Sequence, residues 1–325
     1  GGAPSTGWRV HAYGSCSECL ISNPRAKKIL GSLLPAGEQE VKLRPNEIQI
    51  KYMNSAIQNN LTKVPETMLI PLRARYNETK RPHGIIRDPK SVEILDRIEP
   101  FFEGRREVSI LSQMGVAVRT DILDRLTLQF LEKHPNGFVV NLGCGLDTRF
   151  HRLDNGKVTW FDLDLPEGID LRRNFFEESE RFHFVAASIL DPSWLDLLPK
   201  DAPKLFIAEG LLMYFTEEEV HSLLATLAER CPRSEFIFEA MSPRMARHTE
   251  QHSDMKGYEA EFKWGIKSGR DLLNWGIKLR FEQEYFYNIH LKKMPWYVAL
   301  FYQTVARRVM KIVHLTLGEE QLRVA

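Results

Sequence analysis

Phe138-Val139-Val140-Asn141-Leu142-Gly143-Cys144-Gly145-Leu146-Asp147-Thr148-Arg149 is the most informative stretch of the 325-residue chain. Phe138, Val139, Val140 and Leu142 make an apolar run too short and too β-branched for a helix, so a buried strand is predicted. The strand runs straight into Gly143-x-Gly145. Two glycines let the backbone turn sharply and leave room for a ligand to lie against bare main chain. About twenty residues further on, Asp164 closes a second apolar run, Val158-Thr159-Trp160-Phe161. A carboxylate there can accept hydrogen bonds from both hydroxyls of a ribose. Strand, glycine turn, helix, strand and acid together predict half of a nucleoside-binding α/β fold.

The same residues bear on the charge of the ligand. A dinucleotide turn has a third glycine and seats a pyrophosphate on the following helix N-terminus. Here Thr148 stands at the third glycine position, and Asp147 sits where phosphate charges would approach. A cationic or zwitterionic nucleoside fits better. S-adenosylmethionine, with a ribose for Asp164 and a sulfonium near the turn, is such a ligand.

Composition narrows the class. The chain is 43% hydrophobic, with 44 basic and 43 acidic residues and a net charge of +1. That balance gives no electrostatic case for nucleic acid or an acidic membrane surface. No apolar run is long enough to span a bilayer, and the polar N-terminus lacks the core of a secretory leader. The four cysteines, Cys16, Cys19, Cys144 and Cys231, suit a reducing compartment. Cytoplasm is the expectation.

Outward from the glycine turn, residues 1–60 form an extension of unknown role, rich in Gly, Ser and aromatics near its start. Cys16-x-x-Cys19 lacks the further ligands of a zinc site and the strand–helix setting of a redox pair, so it reads as two ordinary thiols. Helices are expected over Glu66–Tyr76 and over Pro89–Ile98, the latter with Asp88 as N-cap. A third helix is expected over Ile110–Lys133, where Met114, Val118, Ile122, Leu126 and Phe130 recur every four residues. Arg119 adjoins that stripe. Beyond the second strand come a helix over Gly168–Glu178, a strand Phe182–Ala186 ending near Leu190-Asp191, and a strand Leu205–Ala208 ending at Glu209. Ligands of open parallel sheets bind beyond the carboxyl ends of the strands, so Asp164, Asp191 and Glu209 should border one crevice. A capping box, Thr216 with Glu219, opens a helix over Glu217–Arg230, and Phe236–Glu239 reads as a fifth strand. Strands over Leu279–Tyr287 and Lys311–Leu317, with an aromatic helix Pro295–Arg307 between them, close the pattern. His248 and His252 share a helix face but have no third ligand nearby, so no metal site is expected.

Six segments, in order, resemble the leucine carboxyl methyltransferase family, in particular its tetracenomycin polyketide O-methyltransferase branch. They are Glu66–Leu72, Arg87-Asp88-Pro89, Arg119-Thr120, Asn141–Arg149, Asp162-Leu163-Asp164-Leu165-Pro166 and Ala208–Tyr214. The resemblance covers about residues 61–318. It implies an S-adenosylmethionine-dependent O-methyltransferase of class I: a Rossmann-like α/β fold with a seven-stranded, mostly parallel sheet. The domain would run over 61–325, with a helical lid at 61–135, a core at 136–240, and a substrate-side insertion with closing strands at 241–325. By similarity, Arg119 would hold the methionine carboxylate, and Gly143 and Gly145 would pass beneath methionine and ribose. Asp164 would take the ribose hydroxyls, Leu190 and Asp191 would flank the adenine, and Glu209 would approach the amino group.

The family's characteristic acceptor is a carboxylate, which is already ionised at neutral pH and needs no general base. A phenol would need one. Tyr214 lies near the expected methyl position, and Arg75, Arg87 or Arg73 could clamp an anionic small-molecule or peptide substrate. Two other readings stay open: an O-methyltransferase of phenols, and a non-catalytic cofactor- or peptide-binding module.

Overall fold

The computed structural model describes residues 68–98, 108–247, 261–306 and 309–319. The extension 1–60 with Cys16 and Cys19, and the pair His248 and His252, lie outside the described residues.

Three helices precede the sheet: α1 (Leu69–Lys80), α2 (Pro89–Ile98) and α3 (Ile110–Lys133). Ser109 caps α3 by accepting a hydrogen bond from Ser112 N, and the whole stripe Met114, Val118, Ile122, Leu126 and Phe130 is buried. The predicted period was therefore that of the packing face. The chain then runs β1 (Phe138–Leu142), α4 (Arg149–Leu153), β2 (Thr159–Asp164), α5 (Pro166–Arg172), β3 (Phe182–Ala186), β4 (Lys204–Ala208), α6 (Glu217–Arg230), β5 (Glu235–Met241), α7 (Pro243–Ala246), β6 (Leu279–Phe286), α8 (Trp296–Thr304) and β7 (Met310–Leu317).

The strands form one seven-stranded sheet in the order β3-β2-β1-β4-β5-β7-β6. The first five are parallel, and β7 runs antiparallel to both β5 and β6. Alternate side chains of each strand feed opposite faces. Val139, Leu205, Ile207 and Ile237 pack with the α3 stripe, whereas Val140, Leu142, Phe206 and Phe238 pack with Val220, Leu223, Leu224 and Leu227 of α6. Thr216 and Glu219 form the anticipated reciprocal capping box, with bonds of 3.2 and 2.8 Å.

Three helices differ from expectation in their bounds: α1 runs Leu69–Lys80 where Glu66–Tyr76 is predicted, α8 runs Trp296–Thr304 inside the predicted Pro295–Arg307, and the helix after β2 departs most. Gly168–Glu178 was predicted, but α5 starts at Pro166 and stops at Arg172. Arg172 is buried at the end of α5, where it pairs with Asp162 of β2 and donates to Gly145 O at 2.9 Å. Phe175 and Phe176 then turn into the core instead of continuing the helix. Among the described residues no helix is long and apolar enough to cross a membrane.

Candidate active site

In parallel sheets, reversal of strand order leaves a crevice beyond the strand ends. Here β1 lies between β2 and β4, and the loops after these three strands enclose a cavity of about 220 Å³. Gly143 and Gly145 form its floor with φ of +61° and +46°, a backbone region where a side chain is strained. An added Cβ on Gly145 would meet nothing nearer than Met68 Cγ at 3.8 Å, so the turn presents bare main chain to open space. On Gly143 a Cβ would stand 2.5 Å from Leu211 Cδ1.

Asp164 ends β2 beside this floor. Its Oδ2 accepts from Gly145 N at 2.7 Å and its Oδ1 from Leu165 N at 2.8 Å. Burial raises its pKa, opposed by those two N–H donors. Each oxygen keeps a lone pair for a further donor.

Glu209, just past β4, is held on both sides. Its Oε1 accepts from Arg119 Nε at 2.8 Å and its Oε2 from Arg149 Nη2 at 2.6 Å. Burial alone would raise its pKa, but the Arg119 and Arg149 guanidiniums outweigh it and leave the carboxyl below its ordinary value. Arg119 reaches from α3, and its Nη1 also donates to Glu239 Oε2 of β5 at 2.8 Å.

Arg149, Arg152 and Arg75 continue the network beneath the turn. Arg149 pairs with Asp147 and with Asp124, and Arg152 pairs with Asp124 and Asp88. Arg75 is buried, donating to Asp88 Oδ2 at 3.0 Å and to Leu146 O at 2.9 Å. Four guanidiniums thus face the five carboxylates Asp88, Asp124, Asp147, Glu209 and Glu239, and Asp164 adds a further acid. The balance is negative, which suits a ligand carrying positive charge.

The sequence-predicted residues separate into two groups. Arg75, Arg119, Gly143, Gly145, Asp164, Glu209 and Tyr214 all line the cavity. Arg73, Arg87, Leu190 and Asp191 do not. Arg87 is exposed and donates to Thr79 O and Pro82 O, so its fork grips backbone carbonyls in place of a substrate anion. Arg75 borders the cavity, yet its guanidinium is committed to Asp88 and to the turn itself. Leu190 and Asp191 lie exposed past β3, where Asp191 caps the short 3₁₀ helix Pro192–Leu197 by accepting from Ser193 N. Asp147, read from sequence as a bare charge facing the ligand, is paired with Arg149 and accepts from Asn141 Nδ2 at 3.0 Å.

Arg149 and Glu239 escaped the sequence reading. Arg149 stood two residues after Asp147 within the quoted motif, and Glu239 was an acid in an otherwise apolar strand; both signals were visible.

The profile of the leucine carboxyl methyltransferases matches residues 69–228. The tetracenomycin polyketide synthesis O-methyltransferase TcmP of Streptomyces glaucescens is 32% identical over 226 residues, which is 69% of this chain and 83% of that protein. The chain belongs to the leucine carboxyl methyltransferase family. It is accordingly an S-adenosylmethionine-dependent methyltransferase. The S-adenosyl-L-methionine-dependent methyltransferase dpfgK of Gibberella zeae is 34% identical over 183 residues, half of this chain and 60% of that protein. A DUF574-family protein from Streptomyces avermitilis shares the fold at 13% identity, covering 75% of this chain and 96% of that one with a TM-score of 0.50.

The cavity of this family member fits the cofactor on three counts. Gly145 at positive φ leaves space a Cβ would fill, an acid with spare lone pairs stands at the β2 end, and the charge balance is negative.

Proposed function

We propose that this methyltransferase esterifies a carboxylate of a small metabolite or a peptide. The observation that carries the proposal is the absence of a poised base among the described lining residues. Asp147 and Glu209 are bound to guanidiniums, Asp164 to two backbone N–H groups, and no histidine is among the described residues that line the cavity. Burial pushes up both the Tyr214 phenol and the Cys144 thiol, so neither is a ready proton acceptor at neutral pH. A carboxylate nucleophile needs none.

When bound, S-adenosylmethionine supplies an electrophilic methyl group on a sulfonium. The chain's own task is alignment and exclusion of water. In this proposal Asp164 accepts the ribose hydroxyls, and Gly143 and Gly145 allow main-chain approach. Glu209 faces the amino group, while Arg119 meets the methionine carboxylate through Nη2, which bonds to none of the described residues. Leu190 and Asp191, exposed past β3 and outside the cavity lining, take the adenine end in this proposal on the family resemblance alone. Tyr214, half-buried against Phe262 with ring centroids 5.4 Å apart, orients the acceptor through its neutral hydroxyl. We place the activity in the cytoplasm.

The test is the alkali lability of the product. Methyl transferred from labelled S-adenosylmethionine to an ester is released as volatile methanol by mild base, whereas an aryl methyl ether keeps its label. Retained label, with a rate rising as a base deprotonates, would support the phenolic reading instead.

A further inference from the structure

Glu239 is an acid in the middle of a sheet, only 1% exposed, and it takes no part in the cavity lining. A buried carboxylate is costly unless paired and hydrogen-bonded. Both of its oxygens are met. Oε2 accepts from Arg119 Nη1 at 2.8 Å, and Oε1 accepts from the Tyr287 hydroxyl at 2.6 Å. Tyr287 follows β6, which is separated from β5 by β7, so the contact passes over β7 where Ile312 pairs with Glu239. Tyr287 is itself buried, and burial, Glu239 and its hydrogen bond all hold its phenol protonated.

Arg119 is thereby held at two points, through Nε by Glu209 and through Nη1 by Glu239. A guanidinium is planar, so two fixed nitrogens define the direction of the third. Nη2 is the nitrogen without a protein partner among the described residues, and Arg119 borders the cavity. Gly210, at φ +61°, keeps this corner open: an added Cβ would stand 3.5 and 3.6 Å from Arg119 Nη1 and Nη2, and 3.7 Å from Glu239 Oε2.

We infer that Glu239 is a positioning residue for Arg119, and that Tyr287 fixes Glu239. Together they aim Nη2 at the α-carboxylate of the cofactor's amino-acid end. The preorganisation strengthens binding of that end alone, because nothing in the relay touches the nucleoside side. The inference rests on the proposed role of Arg119.

The experiment compares two ligands by calorimetric titration: S-adenosylhomocysteine, which has the amino-acid end, and 5′-methylthioadenosine, which lacks it. Wild-type protein should prefer the first. Glu239→Gln keeps shape but removes the charge, and should weaken S-adenosylhomocysteine binding about tenfold, the loss of one hydrogen bond to a charged group. Methylthioadenosine affinity should stay unchanged. Tyr287→Phe, which deletes only the hydroxyl, should move the same ligand in the same direction by less. Parallel loss of both ligands in Glu239→Gln and Tyr287→Phe would mean a merely structural role and overturn the inference, as would unchanged affinity for both. A wild type that binds the two ligands equally well would instead remove the carboxylate role of Arg119 itself.

Discussion

Arg149 Nη2 and Glu209 Oε2 lie 2.6 Å apart, joining the helix after β1 to the loop after β4. Arg149 is fully buried, and the same guanidinium also serves Asp124 at 2.7 Å and Asp147. One side chain thus satisfies carboxylates from three segments around the site. Removing it strands buried charge, which costs about 3–5 kcal/mol. Arg149→Ala should lower unfolding free energy by that amount in urea titration. Arg149→Lys, a point charge without the planar fork, should recover only part of it.

The two glycines of the turn should respond differently to alanine. At Gly143 the new Cβ meets Leu211 at 2.5 Å and sits at positive φ. At Gly145 the Cβ finds space, so only the left-handed strain of about 1–2 kcal/mol applies. Gly143→Ala should therefore be the more destabilising in thermal unfolding. Gly145→Ala should keep its fold and lose S-adenosylhomocysteine affinity, since its methyl group occupies the cavity floor.

Asp164→Ala should abolish measurable cofactor binding while the circular dichroism of the folded protein persists. The carboxylate accepts from Gly145 N and Leu165 N, so its removal also frees the turn it holds. Wild-type affinity in this variant would disprove the ribose role.

Tyr214→Phe separates alignment from binding. The hydroxyl is neutral at physiological pH, as a phenol ordinarily is, and burial raises its pKa further. Loss of that hydroxyl should lower kcat by about tenfold, the scale of one lost hydrogen bond of roughly 1.4 kcal/mol, and leave S-adenosylhomocysteine affinity unchanged. A change in affinity alone would move Tyr214 from the acceptor to the cofactor.

Acid should destabilise the network. Burial alone would raise Asp88, Asp147 and Glu209, but neighbouring guanidiniums outweigh it and depress all three. A depressed carboxyl stabilises the fold fully above its unfolded value, about 4, and loses that contribution as pH falls through it towards the folded value. Asp162 and Asp164, raised by burial, act with the opposite sign. Unfolding midpoints should drop below about pH 4, and Asp147→Asn should make that drop less steep.

Periodicity made most of the fold legible. The bounds of α2, α3, α6, β1 and β3 coincide with the predicted spans, because the apolar runs and helix caps that set them are local in sequence. The end of α5 was misread because Arg172 turns inward to Asp162, a partner that no local pattern reveals. The glycine turn and Asp164 were also legible, since both depend on backbone geometry and on spacing within one βαβ unit.

By itself, then, the sequence determined the strand–turn–strand unit, its acid and the family. Only the tertiary structure decided which charges are free. Arg75 and Arg119 look alike as isolated arginines, yet one grips Asp88 and the turn while the other keeps Nη2 without a partner among the described residues. The partners of Arg119 lie 90 and 120 residues away in the chain. Ion pairing is set by which strand ends the sheet order brings together, and that order is a property of the folded chain.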